Sequence, residues 1–158
     1  MDFDLIIRTA AAIAVLGTAV VYGTDVFCAI VLRPALAALD DRALVAVMGR
    51  VHFYGDRRMP VPGVIGVLGS AVSAALAVVA GLWAQAIASG IALVLLLVWL
   101  GIYLRVSAPV NRELTAAAEA GQTVPNGLAL QAKWDGVINV RALLQGLAVA
   151  ALCVTLAI

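Results

Sequence analysis

The sequence is poor in charge and in cysteine, and both shortages exclude classes of protein. Only 12% of the 158 residues are charged, against about 25% in an ordinary soluble domain. A formal net charge of +1 offers no basic surface to phosphates, so we predict that the protein binds no nucleic acid. The two cysteines, Cys28 and Cys153, lie in apolar stretches and form no CxxC motif. They are predicted to be buried apolar side chains, not a disulfide framework or metal ligands.

Histidine is scarcer still, and this limits the cofactors that the chain is predicted to carry. His52 is the single histidine, which excludes a haem with two His ligands and a site with three His ligands to copper or zinc. The Glu-x-x-His pairs of carboxylate di-iron bundles are absent, as are the usual phosphate-binding and nucleophile-elbow motifs. We therefore expect no metal and no cofactor.

Apolar residues are abundant and are gathered into long blocks. They make up 65% of the chain, and the mean hydropathy is +1.10. Each block is near the roughly 20 residues that cross a bilayer as a helix. The sequence thus predicts an all-α fold: an integral membrane four-helix bundle, as one domain over residues 1–158, with short interfacial helices on the cytoplasmic side. The four predicted membrane helices lie near 5–32, 61–83, 87–105 and 134–157.

The ends of these helices are predicted from local signals. Arg33-Pro34 should end the first, because proline disfavours helix at the preceding residue. A very short turn around Gln85 should join the second and third as an antiparallel hairpin. Between the first two, a 3.6-residue period over 44–51 after Asp40 predicts a short interfacial helix. The acidic start, Met1–Asp4, lacks the basic region of a signal peptide, so the first helix is expected to be retained.

Basic residues are distributed unequally between the two sides of the predicted bundle. Eight Lys or Arg residues lie in or beside the two long connections, whereas Arg8 alone lies on the side of the termini. Positive charge favours the cytoplasm. We therefore expect a multi-pass protein of the plasma membrane, with both termini outside.

Small residues recur at four-residue spacing in the second block. Gly66 and Ser70 form one such pair, and Gly69 and Ser73 form another. This spacing lets helices approach closely in lipid, either inside the bundle or between copies, so a homo-oligomer is one expected assembly.

A few polar residues lie inside the apolar blocks, where a charge is costly unless it is paired or hydrated. Tyr22 and Asp25 share one face of the first helix. At about 100° per residue, Trp134 and Arg141 share one strip of the fourth, and Asn139 lies beside it. All lie toward the cytoplasmic ends, so an Asp25–Arg141 pair is geometrically feasible.

Two interpretations of these polar residues stay open. An ion pair can merely fix helix register, and polar groups near helix ends can extend to the interface. Alternatively, the residues line an amphipathic pocket in the cytoplasmic half of the bundle.

Several motifs, taken in order along the chain, resemble the anthrone-oxygenase-like family of small membrane proteins. Arg33-Pro34-Ala35-Leu36 follows the first predicted helix, and Pro109-Val110-Asn111-Arg112-Glu113-Leu114 follows the third. Trp134 and then Asn139-Val140-Arg141-Ala142 open the fourth. Asn139 stands where some members carry a histidine, and it lies only two residues before Arg141.

The resemblance implies a cofactor-independent oxidation of a lipophilic aromatic compound by molecular oxygen, and places Asn111, Trp134, Asn139 and Arg141 in the site. In such a reaction Asn139 and Arg141 would stabilise an oxyanion. Asp25 or His52 would be the base, and Tyr22 and Trp134 would stack on the ring.

Two hypotheses of function therefore remain. One is an oxygenase-like enzyme that takes an anthrone- or quinol-like substrate from the membrane lipid. The other is a non-enzymatic module, either a small-molecule binder or an accessory subunit of a larger membrane protein. In both, the partners are membrane lipid and a lipophilic small molecule or protein.

Overall fold

A computed structural model describes residues 3–122 and 126–158. The first two residues of the acidic start, and residues 123–125 of the second connection, lie outside this part. The described chain is helical and holds no strand, which confirms the predicted all-α class. Its α-helices are α1 Phe3–Phe27, α2 Arg33–Leu36, α3 Asp41–Arg58, α4 Pro60–Val79, α5 Trp83–Ile102, α6 Ala108–Glu119 and α7 Gly127–Ala157.

Four continuous helical stretches within the described residues are long and apolar enough to cross a membrane. They run over Phe3–Leu36, Pro60–Val79, Trp83–Glu119 and Gly127–Ala157. The number agrees with the four predicted apolar helices, but the first, third and fourth are longer than predicted. At 1.5 Å per residue, the 37 residues of the third extend over about 55 Å.

The two longest stretches pass through prolines that were predicted to end or follow them. A π-helical turn over Cys28–Leu32 precedes Arg33-Pro34, and a second over Tyr103–Ser107 precedes Ala108-Pro109. In each, the residue before the proline donates its amide hydrogen to the carbonyl five residues earlier. The wider turn accommodates the proline ring, so the predicted ends at Arg33 and Arg105 are wrong.

The turn between α4 and α5 lies at Gly81 and not around Gln85. Gly81 adopts a φ of 72°, and the amide of Leu82 bonds the carbonyl of Ala77. This is a Schellman ending, which favours glycine because other residues are strained at positive φ. Gln85 is buried within α5.

The described contacts divide the chain into two compact units, each of which contains segments of several helices. The first unit contains the chain up to Gly23, Val61–Trp99 and Leu143–Ile158. The packing of this unit depends on small residues. A Cβ added to Gly66 would lie 2.5 Å from the hydroxyl oxygen of Thr18, and Gly69 packs against Ala14. The small-residue spacing of α4 thus serves close packing against α1.

The second unit contains Thr24–Pro60 and Leu100–Ala142. In this unit α3 packs along α6, and a Cβ on Gly49 would lie 2.5 Å from the carbonyl oxygen of Leu114. Asp40 caps α3 by accepting from the amide of Ala43 at 2.8 Å, which confirms the predicted start of this helix. An apolar core surrounds Met48, Leu114 and Ile138, and all the polar contacts described next lie in the same unit.

Candidate functional site

Arg141 of α7 is the centre of a buried polar cluster in the second unit. One guanidinium nitrogen, Nη2, donates to Oδ1 of Asp25 at 2.9 Å. The other, Nη1, donates to the hydroxyl of Ser107 at 2.7 Å. The Arg141 and Asp25 side chains are only 6% and 4% exposed. The predicted pairing of Asp25 with Arg141 is therefore confirmed.

Two aromatic rings flank the same guanidinium. The centre of the guanidinium lies 5.3 Å from the ring of Trp134 and 5.7 Å from the ring of Tyr103. Both distances are within the range of cation–π attraction, which strengthens when the cation is removed from water. Arg141 is thus a buried cation close to two aromatic rings.

The helical period of α7 accounts for the position of Arg141. Trp134, Ile138 and Arg141 are spaced by four and three residues, and all three are buried. Asn139 is exposed, because two residues before Arg141 correspond to a rotation of about 200° around the helix. The structure therefore does not bring Asn139 to the cluster.

The second π-helical turn supplies two groups that the sequence analysis did not place in a site. Tyr103 and Ser107 are its first and last residues, and both contact Arg141. Residues four apart lie on one face of a helix, so Tyr103 and Ser107 both reach Arg141. Because the third helix was predicted to end at Arg105, the face that these two residues share was missed.

Asp56 is a third site residue that was not predicted from the sequence. Its Oδ1 accepts from the Tyr103 hydroxyl at 2.8 Å and from Nδ2 of Asn111 at 2.7 Å. It thereby connects α3 to both the π-helical turn and α6. The signal in the sequence was its position four residues after His52, on the same face of α3.

His52 lies beside Trp134, with ring centroids 5.6 Å apart. Burial lowers the pKa of His52 from 6.5 to about 4, the charge of Asp56 acts in the opposite direction, and the charge of Arg141 lowers it further. At neutral pH His52 is therefore an uncharged imidazole.

Four buried polar atoms in this cluster find no hydrogen-bond partner anywhere in residues 3–122 and 126–158. They are His52 Nε2, Asn111 Oδ1, Trp134 Nε1 and Arg141 Nε. A buried polar atom without a partner costs about 1–3 kcal/mol, so such atoms are uncommon in native structures. These four atoms lie on residues of the contact network around Arg141.

The predicted site residues are distributed as follows. Asp25, His52, Asn111, Trp134 and Arg141 are buried in the second unit and belong to the chain of contacts around Arg141. Tyr22 lies in the first unit, where its ring lies 3.0 Å from the position that a Cβ on Gly146 would take.

The cluster brings together a cationic group (Arg141), a neutral imidazole (His52) and anionic carboxylates (Asp25 and Asp56). Within the described residues, no group of three or more His, Cys, Asp or Glu side chains is arranged to hold a metal ion. What the cluster can do chemically is to stack a flat ring, stabilise a developing negative charge and exchange a proton with a neutral imidazole.

Comparison with known proteins gives no family assignment. No protein-family model, curated protein or solved structure matches this chain. The resemblance to the anthrone-oxygenase-like family stays a prediction from short motifs.

Proposed function

We propose that this membrane protein binds a lipophilic aromatic compound with an acidic enol or phenol group at the Arg141 cluster, and oxidises it with molecular oxygen without a cofactor. The observation that carries the proposal is the buried guanidinium close to two aromatic rings, in a cluster with four unpartnered polar atoms. A bound oxyanion and ring would use both features at once.

The depth of the cluster supports a substrate that arrives from lipid. The helices α4 and α5 contain 20 residues each and so extend over about 30 Å, the thickness of the hydrocarbon core. Because Tyr103 follows α5 directly, we infer that the cluster lies at interfacial depth. Lipophilic phenols gather at this depth, because the ring prefers lipid and the hydroxyl prefers water.

The orientation follows from charge. The second unit holds nine of the ten Lys and Arg residues, and Arg8 alone lies in the first. We infer that the second unit, with α3 and α6 as the interfacial helices, belongs to the cytoplasmic side of the plasma membrane and that both termini are outside.

His52 is better suited than Asp25 to act as the base. The Asp25 carboxylate is engaged by Arg141 at 2.9 Å, whereas Nε2 of His52 has no partner within the described chain. Its low pKa of about 4 keeps the imidazole neutral, and an anion formed beside it raises that pKa as the proton arrives. Trp134, in contact with His52, would support the ring of the substrate.

The proposed reaction balances without a further reductant. The base takes one proton from the CH₂ of an anthrone, and the enolate, held by Arg141, gives electrons to O₂. The carbon–oxygen bond that forms carries a peroxide anion, and the base returns its proton to give a hydroperoxide. Loss of the second C–H proton together with hydroxide, as water, breaks the O–O bond and leaves a ketone. One oxygen atom enters the quinone, the other leaves as water, and the CH₂ carbon is oxidised to C=O.

Oxygen uptake with an anthrone tests the proposal. Arg141→Ala should lower kcat/KM by 10²–10³-fold, the effect of removing one oxyanion donor. Arg141→Lys should recover part of the rate, because a point charge does not replace a planar guanidinium. The exposed Arg105 supplies the matched control, and Arg105→Ala should leave the rate unchanged.

One observation favours a second function, a non-enzymatic binding module or accessory subunit. The charge of Arg141 is already matched by Asp25, as in an ion pair that fixes helix register. In that case the wild type would be inert toward anthrones and quinols, and Arg141→Ala would lower only the melting temperature.

A further inference from the structure

The side of α3 that faces away from its packed core carries apolar and basic residues together. We call this the outer face of α3, and its members are Val47, Arg50, Val51, Tyr54, Arg57 and Arg58. All six are exposed, and they recur at intervals of one, three or four residues, as one side of a helix requires. The opposite side, with Leu44, Met48 and His52, is buried.

The ends of α3 are tied to two candidate membrane spans. It begins at Asp41, soon after the first span ends at Leu36, and it ends at Arg58, just before the second span begins at Pro60. Since α4 matches the hydrocarbon thickness from Pro60 onward, the end of α3 lies at the level where hydrocarbon meets headgroups. Val51 and Tyr54 lie within about two turns of this end, and apolar residues interleaved with arginines there fit an interfacial helix.

Two of the three guanidinium groups of the outer face lie near aromatic rings. Arg57 lies 3.3 Å from the centroid of Phe53, and Arg58 lies 5.2 Å from that of Tyr54. Stacking of this kind leaves the donor edge of the guanidinium available for a phosphate. Across the part of the chain that the structure describes, neither forms an ion pair with a carboxylate.

Asp56, the acidic residue next to Arg57 in the sequence, does not neutralise this face. Asp56 is half-buried and accepts hydrogen bonds from Tyr103 and Asn111, so its carboxylate is used inside the second unit. The outer face therefore presents three guanidinium groups, and a net positive charge, at the level of the headgroups.

We propose that the outer face of α3 is a binding site for anionic phospholipid headgroups, in which Arg50, Arg57 and Arg58 contact phosphates while Val51 and Tyr54 enter the boundary of the acyl chains. A soluble acidic protein would match the charge but not the apolar residues between the arginines, whereas an anionic leaflet matches both. The site is separate from the Arg141 cluster and does not depend on the proposed oxidation.

The direct test is the association of spin-labelled lipids with the full-length protein in phosphatidylcholine vesicles. The wild type should bind labelled phosphatidylglycerol more tightly than labelled phosphatidylcholine, since each cation near an anionic surface raises association about fivefold. Salt should weaken this preference. The triple variant Arg50→Gln, Arg57→Gln, Arg58→Gln should bind both lipids equally.

The matched control removes the same charge from elsewhere in the second unit, through Arg105→Gln, Arg112→Gln and Lys133→Gln, which are also exposed. This variant should keep most of the preference. Equal loss in both triple variants, or no preference in the wild type, would overturn the proposal. Selective displacement of the labelled phosphatidylglycerol by inorganic phosphate at constant ionic strength would also overturn the proposal, because the site would then bind a free anion.

A second measurement keeps the proposal testable if the triple variant does not fold. A nitroxide at Val51→Cys, in a Cys28→Ser and Cys153→Ser background, should be more accessible to oxygen than to a water-soluble nickel complex. Accessibility typical of bulk water would contradict the site. A label immobilised in every lipid composition would also contradict it, because it would indicate contact with another copy of the chain.

Discussion

Breaking the buried ion pair between Asp25 and Arg141 should destabilise the protein more than replacing both residues. The two groups are 2.9 Å apart with side chains 4% and 6% exposed, so removing one leaves the other charged and without its counter-ion in a dry environment. The cost of breaking such a pair is about 3–5 kcal/mol. Asp25→Asn and Arg141→Gln should each lower the free energy of unfolding by this order.

The double variant, Asp25→Asn with Arg141→Gln, should lose less than the sum of the two single losses. It leaves no uncompensated charge, and the two amides can bond each other, so the coupling free energy should be about 2–3 kcal/mol. Equilibrium unfolding in mixed micelles of a mild detergent and dodecyl sulfate measures the free energy of unfolding of the wild type, the two single variants and the double variant.

A partly exposed pair in the same unit serves as the control. Arg33 and Asp135 are 3.9 Å apart, and the Arg33 side chain is 48% exposed, so Arg33→Gln should cost less than about 1 kcal/mol. Single losses at Asp25 and Arg141 no larger than that of Arg33→Gln, with additive effects in the double variant, would refute the reasoning.

Three further predictions concern other parts of the chain. Because the pKa of His52 falls from 6.5 in the unfolded chain to about 4 in the folded one, the folded state should lose about 3 kcal/mol as the pH falls from 6.5 to 4. Melting curves of His52→Gln should lack this part of the pH dependence, and equal slopes for both proteins would contradict the assignment. Gly49→Ala should lower the free energy of unfolding by about 1–3 kcal/mol, because a Cβ at this position meets a carbonyl oxygen of α6. Gly55→Ala should be neutral or slightly stabilising, because a Cβ at that position meets no other atom. Similar melting temperatures for the two variants would disprove the close approach of α3 to α6. Finally, cysteines introduced at the exposed Ala46 and Glu119 should resist an impermeant reagent added outside intact cells, and rapid labelling would reverse the proposed orientation.

Much of the fold followed from hydropathy and from simple helical periodicity. The four apolar blocks predicted the four candidate spans, because burial in lipid requires a long unbroken apolar helix. The Asp25–Arg141 pair followed from the high cost of an isolated charge at that depth and from one strip of α7. Both predictions rest on strong forces that few local details can override.

The features that were not predicted depend on the local backbone geometry of the helices, which residue propensities do not determine. The helices continue past Pro34 and Pro109 because a single wide turn precedes each proline, and such turns have no clear sequence signature. The contacts of Tyr103 depend on that turn. Asn139 is a different case, since the periodicity that placed Arg141 in the interior also directs a residue two positions earlier to the opposite side.

Anaerobic titration with an anthrone tests most directly whether the Arg141 cluster binds an aromatic substrate in its ionised form. Without oxygen the reaction stops before the carbon–oxygen bond forms, so the absorption spectrum reports the ionisation of the bound compound. The wild type should show the enolate spectrum at a pH well below the anthrone's own pKa, because a buried cation beside the oxyanion lowers that pKa. Arg141→Ala should bind the compound in its neutral form. An anthrone that stays neutral on the wild type, or ionises equally on Arg141→Ala, would contradict the account.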